Sequence, residues 1–177
     1  SYQAKNIIGV LGAIGILQTK GWHITNQHIH DGLSQVKKNT GLYGRWQMIG
    51  TSPTTVVDVA HNVAGIQTLL AQIPLVNHQK LHFVFGMVKD KDIDSVLALL
   101  PDHATYYFTK AQIERAIDAF ELQHKADAHG LKGNTYQTVN EAIAAAKKEA
   151  QATDLIVVCG SIFLVGEIEG IIPSSIL

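Results

Sequence analysis

The chain has 177 residues, of which 46% are hydrophobic and 16% are charged, and its formal net charge is −1. This composition excludes a disordered chain and argues against a nucleic-acid-binding surface, and the length allows one full domain plus a small appendage. A single cysteine, Cys159, excludes an intramolecular disulfide. The apolar residues 7–17 follow no basic cluster and are too short to span a bilayer, so we expect a cytoplasmic protein without a membrane partner.

The N-terminal part predicts two helices and a polar turn. The first helix covers residues 2–18 and the second covers residues 24–37. Five residues form an apolar stripe on the first helix: Ile7, Val10, Leu11, Ile14 and Leu17. Nothing ahead of this helix could cover the stripe, so we expect the chain to be part of a longer protein. Residues 38–43 are polar, and we place the domain boundary between residues 41 and 42.

Strands alternate with helices from residue 46 onward. The predicted strands are residues 46–49, 55–59, 81–86, 105–108, 135–137 and 155–159. The predicted helices are residues 62–72, 91–100, 112–122 and 139–150, and capping-box spacing starts the last two at Thr109 and Thr138. This alternation predicts an α/β fold, with a mostly parallel sheet of about six strands and helices on both faces. The short link at residues 50–53 makes the first strand an antiparallel edge.

Polar residues follow four of the predicted strands. They are His61-Asn62, Lys89–Asp92, Thr109 and Gly160-Ser161, and Asp58 ends the second strand itself. The carboxyl ends of parallel strands meet at one edge of a sheet, where α/β proteins bind their ligands. The sequence therefore predicts that these loops share one edge.

Each of these signals also has an ordinary structural interpretation. Asp58 could cap the following helix, and His61 and Asn62 could simply begin it. Lys89–Asp92 could be a solvated turn in which Asp90 is the N-cap. Gly160-Ser161 offers free amides to an anion, although many such turns bind nothing.

Two further patterns set limits on the chemistry. The phosphate-binding pattern G-x-x-x-x-G-K-[ST] does not occur, so the sequence contains no triphosphate cradle of its own. His28 and His30 are two residues apart on a predicted helix and do not face one ligand, so we expect no metal site.

The order of these motifs resembles a known family. Gly44-Arg45, Asp58-Val59-Ala60-His61-Asn62, Gly86 with Asp90-Lys91-Asp92, Arg115-Ala116 and Gly160-Ser161 resemble folylpolyglutamate synthase/dihydrofolate synthase, of the Mur ligase superfamily. The resemblance implies a Rossmann-like three-layer sandwich. It also implies that residues 42–177 are the Mur ligase C-terminal (glutamate ligase) domain. Residues 1–41 would be the last helices and linker of the central ATPase domain.

The resemblance further implies an ATP-dependent ligase that adds L-glutamate to dihydropteroate or to folates through an acyl phosphate. In this family the phosphate loop and the Mg²⁺ ligands lie in the N-terminal ATPase domain, which would be the partner of this domain. We therefore expect the chain alone to be inactive and the whole protein to be a monomer.

Residue by residue, Arg45 and Asp58 match the arginine and aspartate that contact ATP in the family. His61 matches the motif histidine, which we assign to catalysis on the glutamate side, and Ser161 is a second substrate-binding candidate. The resemblance gives no role to Lys89, Asp90 or Asp92.

The sequence departs from the family at two turns. Tyr43 and Val63 stand where the family has proline, which puts loop geometry in doubt more than chemistry. Two alternatives stay open: another Mur-type ligase, of cell-wall synthesis, or a stand-alone nucleotide-binding α/β module. A phosphate loop in the upstream reading frame would favour a ligase over the module.

Overall fold

A computed structural model describes residues 3–171, and the chain divides into two compact units, Ser1–Leu42 and Tyr43–Leu177. The first unit contains three helices: α1 (Gln3–Thr19), α2 (Asn26–Ser34) and α3 (Val36–Thr40). Large apolar side chains on α1 are exposed, namely Ile7, Ile8, Val10, Leu11, Ile16 and Leu17. No helix within residues 3–171 combines the length and the apolar character needed to cross a membrane.

The second unit is a six-stranded sheet covered by helices. Its strands are β1 (Gln47–Thr51), β2 (Thr54–Val57), β3 (Leu81–Phe85), β4 (Thr105–Phe108), β5 (Lys132–Thr135) and β6 (Leu155–Cys159). Its helices are α4 (Val63–Leu70), α5 (Ile93–Leu97), α6 (Ala119–Asp127), α7 (Val139–Glu149) and α8 (Ile162–Gly166), with a 3₁₀ turn at Ile73–Leu75.

The strand order is β1-β2-β6-β3-β4-β5. β1 pairs with β2 in antiparallel orientation, and the other four pairings are parallel. The last strand in the sequence, β6, therefore lies in the middle of the sheet. Both the mostly parallel six-stranded sheet and its antiparallel edge strand are confirmed.

The sheet has an apolar core on each face, because successive side chains of a strand point to opposite faces. In β6, Val157 and Cys159 pack with residues of α4, α5 and α6, whereas Ile156 and Val158 pack with residues of α7 and α8. All five β6 residues are buried, as expected for a strand covered on both faces. The predicted three-layer arrangement is confirmed.

The single helix predicted at residues 24–37 is two helices in the structure, α2 and α3, and two predicted elements of the second unit lie elsewhere. β5 lies at residues 132–135 and not at residues 135–137, because its sequence Lys-Gly-Asn-Thr carries no apolar alternation. At Gly133 a Cβ atom would lie against the carbonyl oxygen of Tyr106, so this edge strand is placed by close backbone approach.

Helix α6 begins at Ala119, capped by the Asp118 carboxylate, and not at residue 112. The preceding segment uses its amides in distant contacts: Gln112 N donates to Glu167 Oε1 (2.6 Å) and Ile117 N donates to Met87 O (3.1 Å). The predicted capping box at Thr109 is therefore wrong. The one at Thr138 is confirmed, with Thr138 and Glu141 capping each other's backbone amides.

Gly86, directly after β3, lies where the backbones of neighbouring strands converge. A Cβ atom at Gly86 would collide with the carbonyl oxygen of Thr109. The backbone at Thr109 cannot move aside as the end of a flexible side chain can, so any residue larger than glycine at position 86 would force the two strand ends apart.

We expect Gly86→Ala to lower the free energy of unfolding by about 1–3 kcal/mol, the usual cost of overpacking. Gly166→Ala is the matched control, because a Cβ atom at Gly166 would meet nothing within 4 Å, and it should be neutral or slightly stabilising. Urea denaturation of the purified chain measures both. Equal stability of the two variants would contradict the close approach at Gly86.

Candidate functional site

The ends of four parallel strands are joined by backbone hydrogen bonds along one edge of the sheet. Gly160 N donates to Ala60 O (2.9 Å), Gly86 N donates to Cys159 O (3.3 Å) and Thr109 N donates to Phe85 O (2.9 Å). These bonds place the residues that follow β2, β6, β3 and β4 side by side. The predicted gathering of polar loops at one edge is therefore observed.

Asp58 is the central side chain of this edge. It is 4% exposed, and its two carboxylate oxygens accept hydrogen bonds from different backbone amides. Oδ2 accepts from Trp46 N (2.8 Å) and Oδ1 accepts from Ala60 N (2.9 Å). Such charge-assisted bonds offset the cost of burying a carboxylate.

Asp58 does not cap α4, so that interpretation is wrong. The cap is Asn62, whose Oδ1 accepts from Gly65 N (2.8 Å). Asp58 instead links the turn before β1 to the end of β2. The link is the hydrogen bond from Trp46 N, which is twelve residues away in the sequence.

The turn at Gly44–Trp46 has an unusual backbone. Gly44 has φ 77° and Trp46, a non-glycine residue, has φ 46°. A side chain at Gly44 would collide with Val59 Cγ1 at 2.7 Å, and Val59 N donates to Gly44 O (2.8 Å). The turn is thus held tightly against the end of β2.

Arg45 lies in the middle of this fixed turn and is exposed. Within residues 3–171 its guanidinium forms neither a hydrogen bond nor an ion pair. Arg45 therefore presents a guanidinium to solvent from a rigid backbone, which suits recognition of an anion.

His61 is half-buried, and its Nδ1 lies 2.9 Å from the Val59 carbonyl oxygen. A carbonyl oxygen can only accept a hydrogen bond, so Nδ1 carries the proton and the neutral ring keeps its lone pair on Nε2. This tautomer leaves His61 with a nitrogen that can accept a proton or a hydrogen bond from a ligand.

Ser161 is 3% exposed and caps α8, its Oγ accepting from Phe163 N (3.1 Å). The Ser161 hydroxyl oxygen therefore already accepts a hydrogen bond within the domain. Its proton stays available as a donor, and contact with a substrate stays a prediction.

The loop after β3 contributes a second group of charges. Arg115 donates to Asp90 Oδ2 (2.7 Å), and this hydrogen bond holds the pKa of the Asp90 carboxyl below its usual range. The Arg115 guanidinium also lies 5.4 Å from the centre of the Phe163 ring. Arg115, Phe163 and Lys89 line an open cavity of about 650 Å³. The sequence motif includes Arg115 but does not indicate this contact, because its partners are distant in the chain.

Asp92, and not Asp90, caps the helix that follows. Its Oδ1 accepts from Ser95 N (3.2 Å), and hydrogen bonding to Ser95 lowers the pKa of the Asp92 carboxyl. The loop does end in a helix cap, as that interpretation predicted, but the capping residue is Asp92 and not Asp90.

Two buried groups complete this edge. Among the described residues, the Thr109 hydroxyl has no hydrogen-bond partner although Thr109 is fully buried. Burial raises the pKa of the Cys159 thiol, and the nearby Asp58 charge adds to that effect. In the part of the chain that the structure describes, no three His, Cys, Asp or Glu side chains are grouped so as to hold a metal ion.

This is an α/β domain whose polar loops gather at the carboxyl edge of a mostly parallel sheet. Residues 44–162 match the family model described as "Mur ligase, glutamate ligase domain". The match covers more than half of the chain, and the chain belongs to this family.

Named relatives agree with this assignment. The chain is 30% identical over 164 residues to the dihydrofolate synthase/folylpolyglutamate synthase of Escherichia coli strain K12, covering 92% of this chain and 37% of that one. The structure of E. coli FolC in complex with DHPP and ADP matches with a TM-score of 0.74 and 28% identity, over 93% of this chain and 38% of that one.

A third relative is the bifunctional folylpolyglutamate synthase/dihydrofolate synthase from Yersinia pestis complexed with AMPPNP and Mn ion. It matches with a TM-score of 0.69 and 27% identity, over 86% of this chain and 36% of that one. The chain thus spans less than two fifths of the length of each of these three relatives.

We expect Asp58→Ala to lower the free energy of unfolding by at least about 1–3 kcal/mol, because it leaves two amides without their acceptor. Asp58→Asn should also destabilise, since its amide group would face one of the two N–H donors. Asp102→Asn is the control, because the Asp102 side chain is 83% exposed. Urea denaturation at neutral pH compares the three variants, and an unchanged midpoint for Asp58→Ala would contradict the role of this carboxylate.

Proposed function

We propose that this chain is the C-terminal domain of an ATP-dependent ligase that adds L-glutamate to dihydropteroate or to folates. The family match over residues 44–162 and the relatives named as dihydrofolate and folylpolyglutamate synthases support the proposal. The observation that carries it is an unpaired Arg45 on a turn that is hydrogen-bonded to the end of β2, from which His61 extends with a free Nε2.

The proposed reaction has two steps. A carboxylate oxygen of the pteroate or folate attacks the γ-phosphorus of ATP, so that an acyl phosphate forms and ADP leaves. The amine of glutamate then attacks the acyl carbon, the amide bond forms, and phosphate and one proton leave. Anions develop in both steps, and fixed cationic and hydrogen-bonding groups stabilise such charge.

Arg45 is proposed to bind the nucleotide. A guanidinium can donate two parallel hydrogen bonds to phosphate oxygens or stack on a purine ring. Because the Asp58 carboxylate and the Val59 amide already fix the turn, little conformational freedom is lost when Arg45 binds.

Asp58 is proposed to contact the nucleotide as well, through its carboxylate oxygens, which also accept from Trp46 N and Ala60 N. A carboxylate offers about four such acceptor sites. Since Asp58 is nearly buried, its larger effect would come through the placement of Arg45.

His61 is proposed to act on the glutamate side. Its Nε2 can accept a hydrogen bond from the incoming ammonium or the proton that the amine loses. Ser161 lies next to Gly160, whose amide is bonded to the residue before His61. Its hydroxyl proton is proposed as a donor to the same substrate.

Residues 1–41 are proposed to belong to a central ATPase domain that holds the phosphate loop and the Mg²⁺ ligands. The exposed apolar side chains of α1 fit a surface that such a domain would cover. The parent protein is proposed to be a cytoplasmic monomer.

The function is tested by assaying the full-length parent enzyme with glutamate and ATP, once with dihydropteroate and once with a reduced folate. We expect amide formation with one or both acceptors, and no ATP turnover by the 177-residue chain alone, because catalysis needs groups from both domains. No product with either acceptor, or phosphate release by the chain alone, would contradict the proposal. Activity with a muramyl peptide would identify a cell-wall ligase instead.

Two variants of the parent enzyme separate the proposed roles. Arg45→Gln should reduce kcat/KM for ATP by roughly 10- to 150-fold, the equivalent of one charge-assisted hydrogen bond of about 1.5–3 kcal/mol. His61→Gln should reduce kcat/KM for glutamate more than that for ATP. Lys148→Gln, an exposed residue of α7, is the control. Identical effects of Arg45→Gln and His61→Gln on both substrates would refute this division.

A further inference from the structure

A chain of four ionisable side chains, buried except at its Glu149 end, lies at the amino-terminal edge of the sheet, opposite the site described above. His82 is the second residue of β3, and Asp154 directly precedes β6. Each is 2% exposed. Tyr107 of β4 and Glu149, the last residue of α7, complete the chain. None of the four takes part in the proposed reaction.

The hydrogen-bond directions begin with Tyr107. Its hydroxyl donates to Glu149 Oε2 at 2.8 Å, and His82 Nδ1 lies 3.1 Å from the same hydroxyl oxygen. A hydroxyl has one proton. Since that proton is directed at Glu149, the phenol oxygen can only accept from His82, and Nδ1 must carry a proton.

The other ring nitrogen faces a carboxylate. His82 Nε2 lies 3.4 Å from Asp154 Oδ2. Asp154 also accepts from two amides, Gln151 N (2.7 Å) and Lys80 N (3.1 Å). Burial pushes the pKa of the Asp154 carboxyl upward, but the amide bonds and the neighbouring His82 outweigh it, so that this pKa lies below its usual range. Asp154 is therefore an ionised acceptor with no proton to give.

Both ring nitrogens of His82 thus face oxygens that cannot donate. A neutral imidazole has one N–H, so it would leave two lone pairs opposed inside the protein, and an unmade buried hydrogen bond is costly. We propose that His82 is an imidazolium in the folded protein at neutral pH, held between Asp154 and the Tyr107–Glu149 pair. It acts as a pH-sensitive latch that fastens the connection between α7 and β6 to the centre of the sheet.

The groups facing His82 come from each element packed around it. Tyr107 comes from β4, Glu149 from α7 and Asp154 from the turn before β6. Tyr136, which follows β5, packs on the Tyr107 ring with a centroid distance of 5.8 Å. Two carboxylates thus balance one imidazolium, and no further cation is needed for the arrangement.

The latch makes stability depend on pH with a definite sign. In the unfolded chain a histidine loses its proton near pH 6.5. If the folded chain keeps that proton, it binds more protons than the unfolded chain above this pH, so stability falls as the pH rises. The decline ends where the folded protein releases the proton as well.

Ring-nitrogen NMR of the 177-residue chain tests the proposal directly. At pH 7.5 we expect both ring nitrogens of His82 to show the shifts of a protonated imidazole, and His103, whose side chain is 74% exposed, serves as the solvent-exposed comparison. His82→Gln identifies the resonances. A single neutral tautomer of His82 at pH 7.5 would overturn the proposal.

Denaturation between pH 6.5 and pH 8 gives the second test. The folded-to-unfolded ratio of the wild-type chain should fall by up to about tenfold per pH unit relative to His82→Gln. His103→Gln should keep the wild-type dependence. If His82→Gln does not fold, Tyr107→Phe replaces it: the variant lacks the Nδ1 acceptor and should flatten the slope. A wild-type slope in Tyr107→Phe would contradict the latch, as would one in a folded His82→Gln.

Discussion

The candidate site at the carboxyl edge of the sheet depends on the hydrogen bonds that the Asp58 carboxylate accepts from Trp46 N and Ala60 N. A buried carboxylate is costly unless its oxygens are bonded, and here the two bonds join segments on either side of the β1–β2 hairpin. The carboxylate thereby fixes the turn that carries Arg45 and the strand exit that carries His61. One buried charge sets the positions of two side chains that are free to meet a ligand.

The rest of the edge is built by close backbone contact. Gly86 and Gly160 lie where a Cβ atom would collide with a neighbouring carbonyl oxygen. Without side chains at these points, the strand ends can approach closely enough for the amides of one exit to reach the carbonyls of the next. The polar loops then extend from a rigid frame, which is the arrangement that precise ligand binding requires.

The two edges of the sheet treat charge in opposite ways. At the carboxyl edge the cations Arg45 and Lys89 are exposed, and the buried Asp58 is bonded to amides. At the amino edge, His82 and Asp154 are buried, and both ring nitrogens of His82 lie against groups of the same domain. An exposed cation suits binding of an outside anion, whereas an enclosed set of charges links strands to one another. The candidate site and the His82 cluster therefore lie at opposite ends of the same strands.

The sequence by itself determined the α/β class and the exact bounds of β4 and β6, because buried strands need unbroken apolar runs. It also determined the cap at Thr138, whose partner is three residues away, and the order of motifs that indicated the family. Only the tertiary structure decided what Asp58 bonds to, where α6 begins and that His82 meets Asp154. Those partners lie 12, 55 and 72 residues away. Local sequence patterns indicate hydrogen bonds between residues a few positions apart. Hydrogen bonds between residues this far apart in the sequence form only after the sheet has assembled.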